Sequence, residues 1–264
     1  MHRLTRKVRF SLNPFLPKDV EGFNSFTSKP AGEGLALFFE LAVTLDGSLD
    51  KKSGFVVNVL DIDDQVRKFV IPPFIGRIRK YFHNQKDIGF PEITKLLLMA
   101  NENLQQRFSG LKVSHLALQL NPLRKIAVNF EEKNMICFSE KFEFAATHKL
   151  WNDKIPKEEN LKLFGKCANP NGHGHNYVIE VIVKAKPADL RIADFEKVID
   201  ENLIRILDHK NLNIDVPHFS KVLPSVENLS TFAWDRLNGK FRKANLYCIT
   251  IWETDKTSCS YCGR

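Results

Sequence analysis

The chain has 264 residues, 43% hydrophobic and 27% charged, which is ordinary globular usage with enough length to bury a sizeable core in one or two domains. No apolar run approaches the roughly 18 residues of a membrane span, so no membrane partner is expected. The net charge of +8 is uneven, with 20 Lys+Arg against 14 Asp+Glu in residues 1–133 and 19 against 17 in residues 134–264; no basic run is interleaved with aromatics, so nucleic acid is not expected, and a small polyanionic ligand suits the excess equally well.

The N-terminal MHRLTRKVRFSLNPF alternates basic and apolar residues where a secretory leader needs a continuous apolar core, so none is expected. The five cysteines (Cys137, Cys167, Cys248, Cys259, Cys262) are odd in number and scattered. They do not read as a disulfide framework, and the expected compartment is a reducing cytoplasm.

In the first half GEGLALFFELAVTL (Gly32–Leu45) reads as a strand, DGSLDKKSG as a turn, FVVNVLDID (Phe55–Asp63) as a second strand and DDQVRKFV as helical. PEITKLLLMANENL then reads as a helix and VSHLALQLN as an alternating strand. The second half repeats the pattern. GHGHNYVIEVIV (Gly172–Val183) leads through KAKPAD into LRIADF and the helical EKVIDENLIRIL, with PSVENLSTFAWDRL a further helix and NLYCITIWET a strand. Each half reads as strand, strand, helix, helix, strand, strand, an α+β unit with helices on one face of an antiparallel sheet. The expected domains are 1–133 and 134–264. Laid over each other without gaps, Gly32-Glu33-Gly34-Leu35 meets Gly172-His173-Gly174-His175, and Cys167 meets Thr27, so the first half lacks the polar set of the second.

Residues two apart on a strand share a face. His173 and His175 therefore project together, beside Tyr177, Ile179 and Val181. In KFEFAATHKL the row Phe142, Phe144, Ala146, His148 ends on a third imidazole. Three neutral imidazoles with an open position are the arrangement of a catalytic zinc; the bland alternative for HxH is a pair of surface histidines. Cys167, in a loop rich in glycine and asparagine, is open to three roles: fourth ligand, acid/base group or inert small hydrophobe. Asp208 beside His209 is either a carboxylate orienting an imidazole or ordinary capping at a helix end. Glu253, at the end of the last long strand, is either a bidentate acceptor for a planar N–H pair or a solvated strand-end carboxylate. The CxxC of Cys259 and Cys262 has no second pair and no βαβ setting, and reads as incidental.

The pieces FEFAATH, NLKLFGKCANPNGHGHNY, LDHKNLN, PSVEN and WETD, in this order over about residues 138–264, resemble the 6-pyruvoyltetrahydropterin synthase family, including its 6-carboxytetrahydropterin synthase branch. The resemblance implies tunnelling-fold ββααββ units that close into a barrel as a homo-oligomer, with active sites at their contacts. It implies zinc held by His148, His173 and His175, and Cys167 as the proton-abstracting base. It also implies Asp208 and His209 as a proton relay and Glu253 and Glu227 in the pterin pocket. The implied substrate is 7,8-dihydroneopterin triphosphate and the implied product 6-pyruvoyltetrahydropterin. The alternatives are a 6-carboxytetrahydropterin synthase of the queuosine pathway and a non-catalytic pterin-binding scaffold. The Cys-x5-His spacing between Cys167 and His173 resembles the pyruvoyl enzymes; Cys-x3-His is frequent in the carboxy branch. The sequence departs from the family at Ser225-Val226, where a threonine usually precedes the glutamate, and in carrying a second unit that lacks the site.

Overall fold

The alternation of charged and apolar side chains at the N-terminus is that of a half-buried strand. In the computed structural model, which describes residues 1–16, 35–132 and 134–263, it forms β1 (His2–Leu12). The chain divides into two compact units, Met1–Phe138 with Lys186–Ala188 and Ser139–Ala185 with Asp189–Arg264.

In unit 1, β1 is followed by β2 (Leu37–Gly47), α1 (Val59–Gln65), a π-helical turn (Val66–Val70), α2 (Ile71–His83), α3 (Phe90–Gln105), β3 (Lys112–Gln119) and β4 (Arg124–Asn129). The strands pair antiparallel in the order β1-β2-β3-β4. Helix α1 packs on β1 and α3 on β3. Val8, Leu41, Val43 and Leu116 from the sheet meet Ile62, Phe74, Leu97 and Leu104 from the helices in a dry core.

Unit 2 runs β5 (Ile136–His148, whose first residues belong to unit 1), α4 (Lys157–Phe164), a 3₁₀ turn (Gly165–Ala168), β6 (His173–Ala185), α5 (Ile192–Ile199), a π-helical turn (Asp200–Ile204) and α6 (Arg205–Leu207). There follow β7 (Lys210–Asn211), α7 (Leu212–Asp215), α8 (Val226–Leu237), β8 (Ala244–Thr254) and β9 (Thr257–Tyr261). The sheet order is β5-β6-β8-β9, and β7 pairs parallel to the end of β5. Helix α8 packs on β8 and β9.

The order strand, strand, helix, helix, strand, strand holds in unit 1 and, with α4 inserted between β5 and β6 and the two-residue β7 before α7, in unit 2, but two expected strands are helical. FVVNVLDID turns into α1 because the Asn58 side chain accepts the Leu60 N–H at 3.0 Å and Asp61 stands in the first turn, where a helix favours an acceptor cap and negative charge. LRIADF becomes the start of α5 at Ile192. The missing first strands are β1 and β5.

Two irregularities recur. The helical layer of each unit passes through one π turn, with Ile71 N–H bonding Val66 O in unit 1 and Arg205 N–H bonding Asp200 O in unit 2. Each unit also has a β-bulge: β2/β3 shifts register between Thr44 and Leu45, and β6/β8 between Ile182 and Val183. Superposing the bulges sets Thr44 on Ile182 and His115 on Cys248. Counting back along β2 and β6, Leu37 falls on His175, Phe39 on Tyr177 and Leu35 on His173. Counting forward along β3 and β8, Leu118 falls on Ile251 and Leu120 on Glu253. The gapless overlay that set Glu33 and Leu35 against the two histidines is therefore displaced by two residues. Glu33 and Thr27 lie outside the described residues.

The cysteine expectation also changes. Cys248 and Cys262 form a disulfide, with Cα atoms 4.2 Å apart. Ile249 pairs with Tyr261 across β8/β9, so the next residues outward face each other at a close cross-strand position. Cys137, Cys167 and Cys259 are thiols outside any disulfide among the described residues. Among the described residues no helix is long and apolar enough to cross a membrane.

Candidate active site

Strand alternation brings the three histidines together. In β6 the inward row continues into Tyr177, Ile179 and Val181, each fully buried. In β5 it runs through Phe144 and Ala146 to His148, 1% exposed. Phe144 stacks on Tyr177 at 4.9 Å, locking the two rows. Glycines make the approach possible. Gly172 has φ +70°, and a Cβ there would lie 2.8 Å from the His148 carbonyl oxygen. At Gly174 a Cβ would sit 3.2 Å from the Thr147 methyl.

His148, His173 and His175 offer ligand atoms that all lie within 4.8 Å of one another, the group of this kind found among the described residues. His148 Nδ1 is 2.7 Å from the Pro224 carbonyl oxygen, which can only accept, so Nδ1 carries the hydrogen and Nε2 presents its lone pair. That Nε2 is 3.1 Å from His173 Nε2. Glu253 Oε1 stands 3.4 Å from His148 Nε2 and 3.5 Å from His175 Nε2. These separations are close to the edge, about 3.3 Å, of a tetrahedron with metal–nitrogen bonds near 2.0 Å. His175 Nε2 is buried without a hydrogen-bond partner. Burial, the largest cause for each, holds His148 and His173 below the usual imidazole value. Neutral imidazoles with converging lone pairs and a carboxylate close by fit a divalent cation.

Cys167 lies in the 3₁₀ turn, half-buried, and its carbonyl accepts the Leu150 N–H at 2.9 Å, tying the loop to the end of β5. Burial first, and the charge of Glu253 second, push its thiol above the usual value. A divalent charge in the cage acts the other way.

Asp208 and His209 are paired as expected, His209 Nδ1 to Asp208 Oδ2 at 2.9 Å. Asp208 is also the C-cap of α6 and its Oδ1 accepts the Ala145 N–H at 2.9 Å, so it fastens this segment to β5 as well. That hydrogen bond, ahead of the one from His209, holds its carboxyl below the usual range. His209 has φ +56°, and its side chain is 83% exposed. Among the described residues no hydrogen bond or ion pair joins this pair to the histidine cage, although His209 and His175 line one groove of about 420 Å³ with Thr147, Asn176 and Lys210. Glu227 is exposed in the first turn of α8, and among the described residues no hydrogen bond or ion pair joins its side chain to the cage.

Two positioning groups escaped the sequence reading. Pro224 orients His148 through a carbonyl, which no side-chain pattern announces. Asn213 grips the main chain of Lys149 on both sides, accepting its N–H at 2.7 Å and donating to its carbonyl at 3.0 Å. Its place in LDHKNLN was the available signal. Glu253 is the residue skipped where β8/β9 shifts register between Trp252 and Thr254, a placement that lets a bulge re-aim a side chain.

The family model described as 6-pyruvoyl tetrahydropterin synthase matches residues 137–264. The 6-pyruvoyl tetrahydrobiopterin synthases of Homo sapiens and Pongo abelii are each 42% identical over 131 residues, 48% of this chain and 90% of theirs. The solved 6-pyruvoyl tetrahydropterin synthase of Caenorhabditis elegans is 32% identical, with a TM-score of 0.46, over 49% of this chain and 96% of that one. The family model falls on the half of the sequence that carries the three converging imidazoles, and by 42% identity over 90% of those two synthases the chain belongs to the 6-pyruvoyl tetrahydropterin synthase family.

Proposed function

We propose that the protein is a zinc-dependent carbon–oxygen lyase converting 7,8-dihydroneopterin triphosphate to 6-pyruvoyltetrahydropterin with elimination of triphosphate. The observation that carries this reading is the convergence of His148, His173 and His175, with a buried unpartnered Nε2, in a chain 42% identical over 131 residues to named synthases.

A zinc ion there would be held by His148, His173 and His175 and would supply Lewis-acid polarisation of a substrate side-chain oxygen, acidifying the neighbouring C–H. Cys167, as thiolate, takes that proton. Asp208 holds the His209 ring through Nδ1, leaving Nε2 to move a second proton. Glu253 accepts from the N–H pair of the pterin ring, and Glu227 belongs to the same pocket. The basic excess of the chain suits a triphosphate-bearing substrate. The exposure of His209 suits a relay completed at contacts between copies, so the active form in this reading is a homo-oligomer. Unit 1, residues 1–133 as read from sequence, is an altered copy without metal ligands that takes the place of a partner subunit.

The test is incubation with dihydroneopterin triphosphate, following triphosphate release and identifying the pterin. Release with a 6-pyruvoyl product supports the reading. A 6-carboxy product moves the protein to the queuosine branch, and no release with any divalent metal leaves a pterin-binding scaffold.

A further inference from the structure

In unit 1 the positions matching His175, Tyr177, Ile251 and Glu253 are Leu37, Phe39, Leu118 and Leu120, and these four side chains line one cavity of about 190 Å³. Its ten lining residues are all apolar. Phe74, Ile78, Leu96 and Leu118 form a floor, none more than 5% exposed. Phe82, 37% exposed, stands at the mouth with the half-buried Leu37 and Leu120. At these positions unit 1 carries hydrocarbon where unit 2 carries the polar groups of His175, Tyr177 and Glu253.

We propose that this cavity is a binding site for one small uncharged aromatic ring. A cavity of about 150 Å³ lined by Leu, Ile and Phe stays dry and takes up benzene, so this one has the size and lining for a single ring. No lining side chain offers a hydrogen bond, so a charged or hydroxylated guest would lose its hydration without compensation. Phe39 and Phe74 meet edge-to-face at 6.2 Å in the wall, a geometry that favours a third ring. The metal-and-carboxylate recognition of unit 2 cannot operate here, which separates the two sites by ligand class.

The experiment is a toluene titration of the full chain followed by methyl NMR of its Leu and Ile residues. The expected result is saturable shifts at the methyls of Leu37, Ile78, Leu118 and Leu120. Leu120→Glu, which places in unit 1 the side chain found at the matching position of unit 2, is expected to abolish those shifts. Should that variant not fold, Leu120→Phe fills the mouth with hydrocarbon and is expected to abolish them as well, whereas the volume-conserving Leu120→Met keeps them. Absence of saturable shifts up to the solubility of toluene, or shifts undiminished in a folded Leu120→Glu or Leu120→Phe protein, overturns the proposal.

Discussion

The two units share strand order, a π turn in the helical layer and a bulge at matching positions, yet they differ completely in what fills the space between sheet and helices at one end. At matched inward positions unit 2 carries His175 and Glu253, and unit 1 carries Leu37 and Leu120. A sheet with helices on it supplies a hollow, and a few side chains on its inward rows decide whether the hollow holds a cation or only hydrocarbon. The backbone devices that shape the hollow are common to both, so the difference in chemistry lives in the inward-facing side chains.

Matched substitutions put this contrast under the greatest strain. His175→Ala is expected to remove the cation and all measurable turnover, because an imidazole is lost from the cage. Leu37→Ala, at the same place in unit 1, is expected to leave both intact and cost about 1–2 kcal/mol in denaturant unfolding, the lower end for a part-buried leucine. Equal loss of metal in both variants would break the comparison.

Next in size is Cys167→Ala. As proton acceptor, Cys167 contributes turnover and not metal binding, so the variant is expected to retain its cation by metal analysis while turnover falls by about 10²–10⁴. Loss of the cation would make Cys167 a fourth ligand.

Acid sharpens the contrast in a different way. Burial lowers His148 and His173 in unit 2, and lowers His115 in unit 1, relative to 6.5. The unfolded chain then binds more protons than the folded one in the window below 6.5, so stability is full above it and falls as pH drops through it. A bound cation competes with protons only in unit 2. Thermal melts against pH are expected to show zinc extending stability to lower pH in the wild type and not in His175→Ala.

The last contrast is with reductant, which is expected to act on stability. Opening the Cys248–Cys262 bond, which spans a separation of 14 residues, removes a cross-link between β8 and β9 and costs about 3 kcal/mol. Thiol titration of the folded, unreduced protein should find Cys137, Cys167 and Cys259. Five reactive thiols would contradict the bond.

Much of the site was legible because a strand side chain's direction depends only on parity: the rows ending in His148 and His175 follow from counting by two. Parity also explains the error in overlaying the halves. A displacement of two residues keeps every side chain on its face, so alternation is blind to it, and only the paired bulges reveal it. FVVNVLDID misled because its apolar run suits either helix or strand, and the Asn58 cap decides. The Pro224 carbonyl on His148 and the Cys248–Cys262 pairing depend on which distant segments the fold brings together, and no local pattern carries that.

The central claim, one cation-binding unit beside one hydrocarbon-filled copy, is tested most directly by the metal content of the purified chain after loading with zinc and removal of excess. One zinc per chain, falling to none in His175→Ala, is the predicted result. Two per chain, or one that survives His175→Ala, would contradict it.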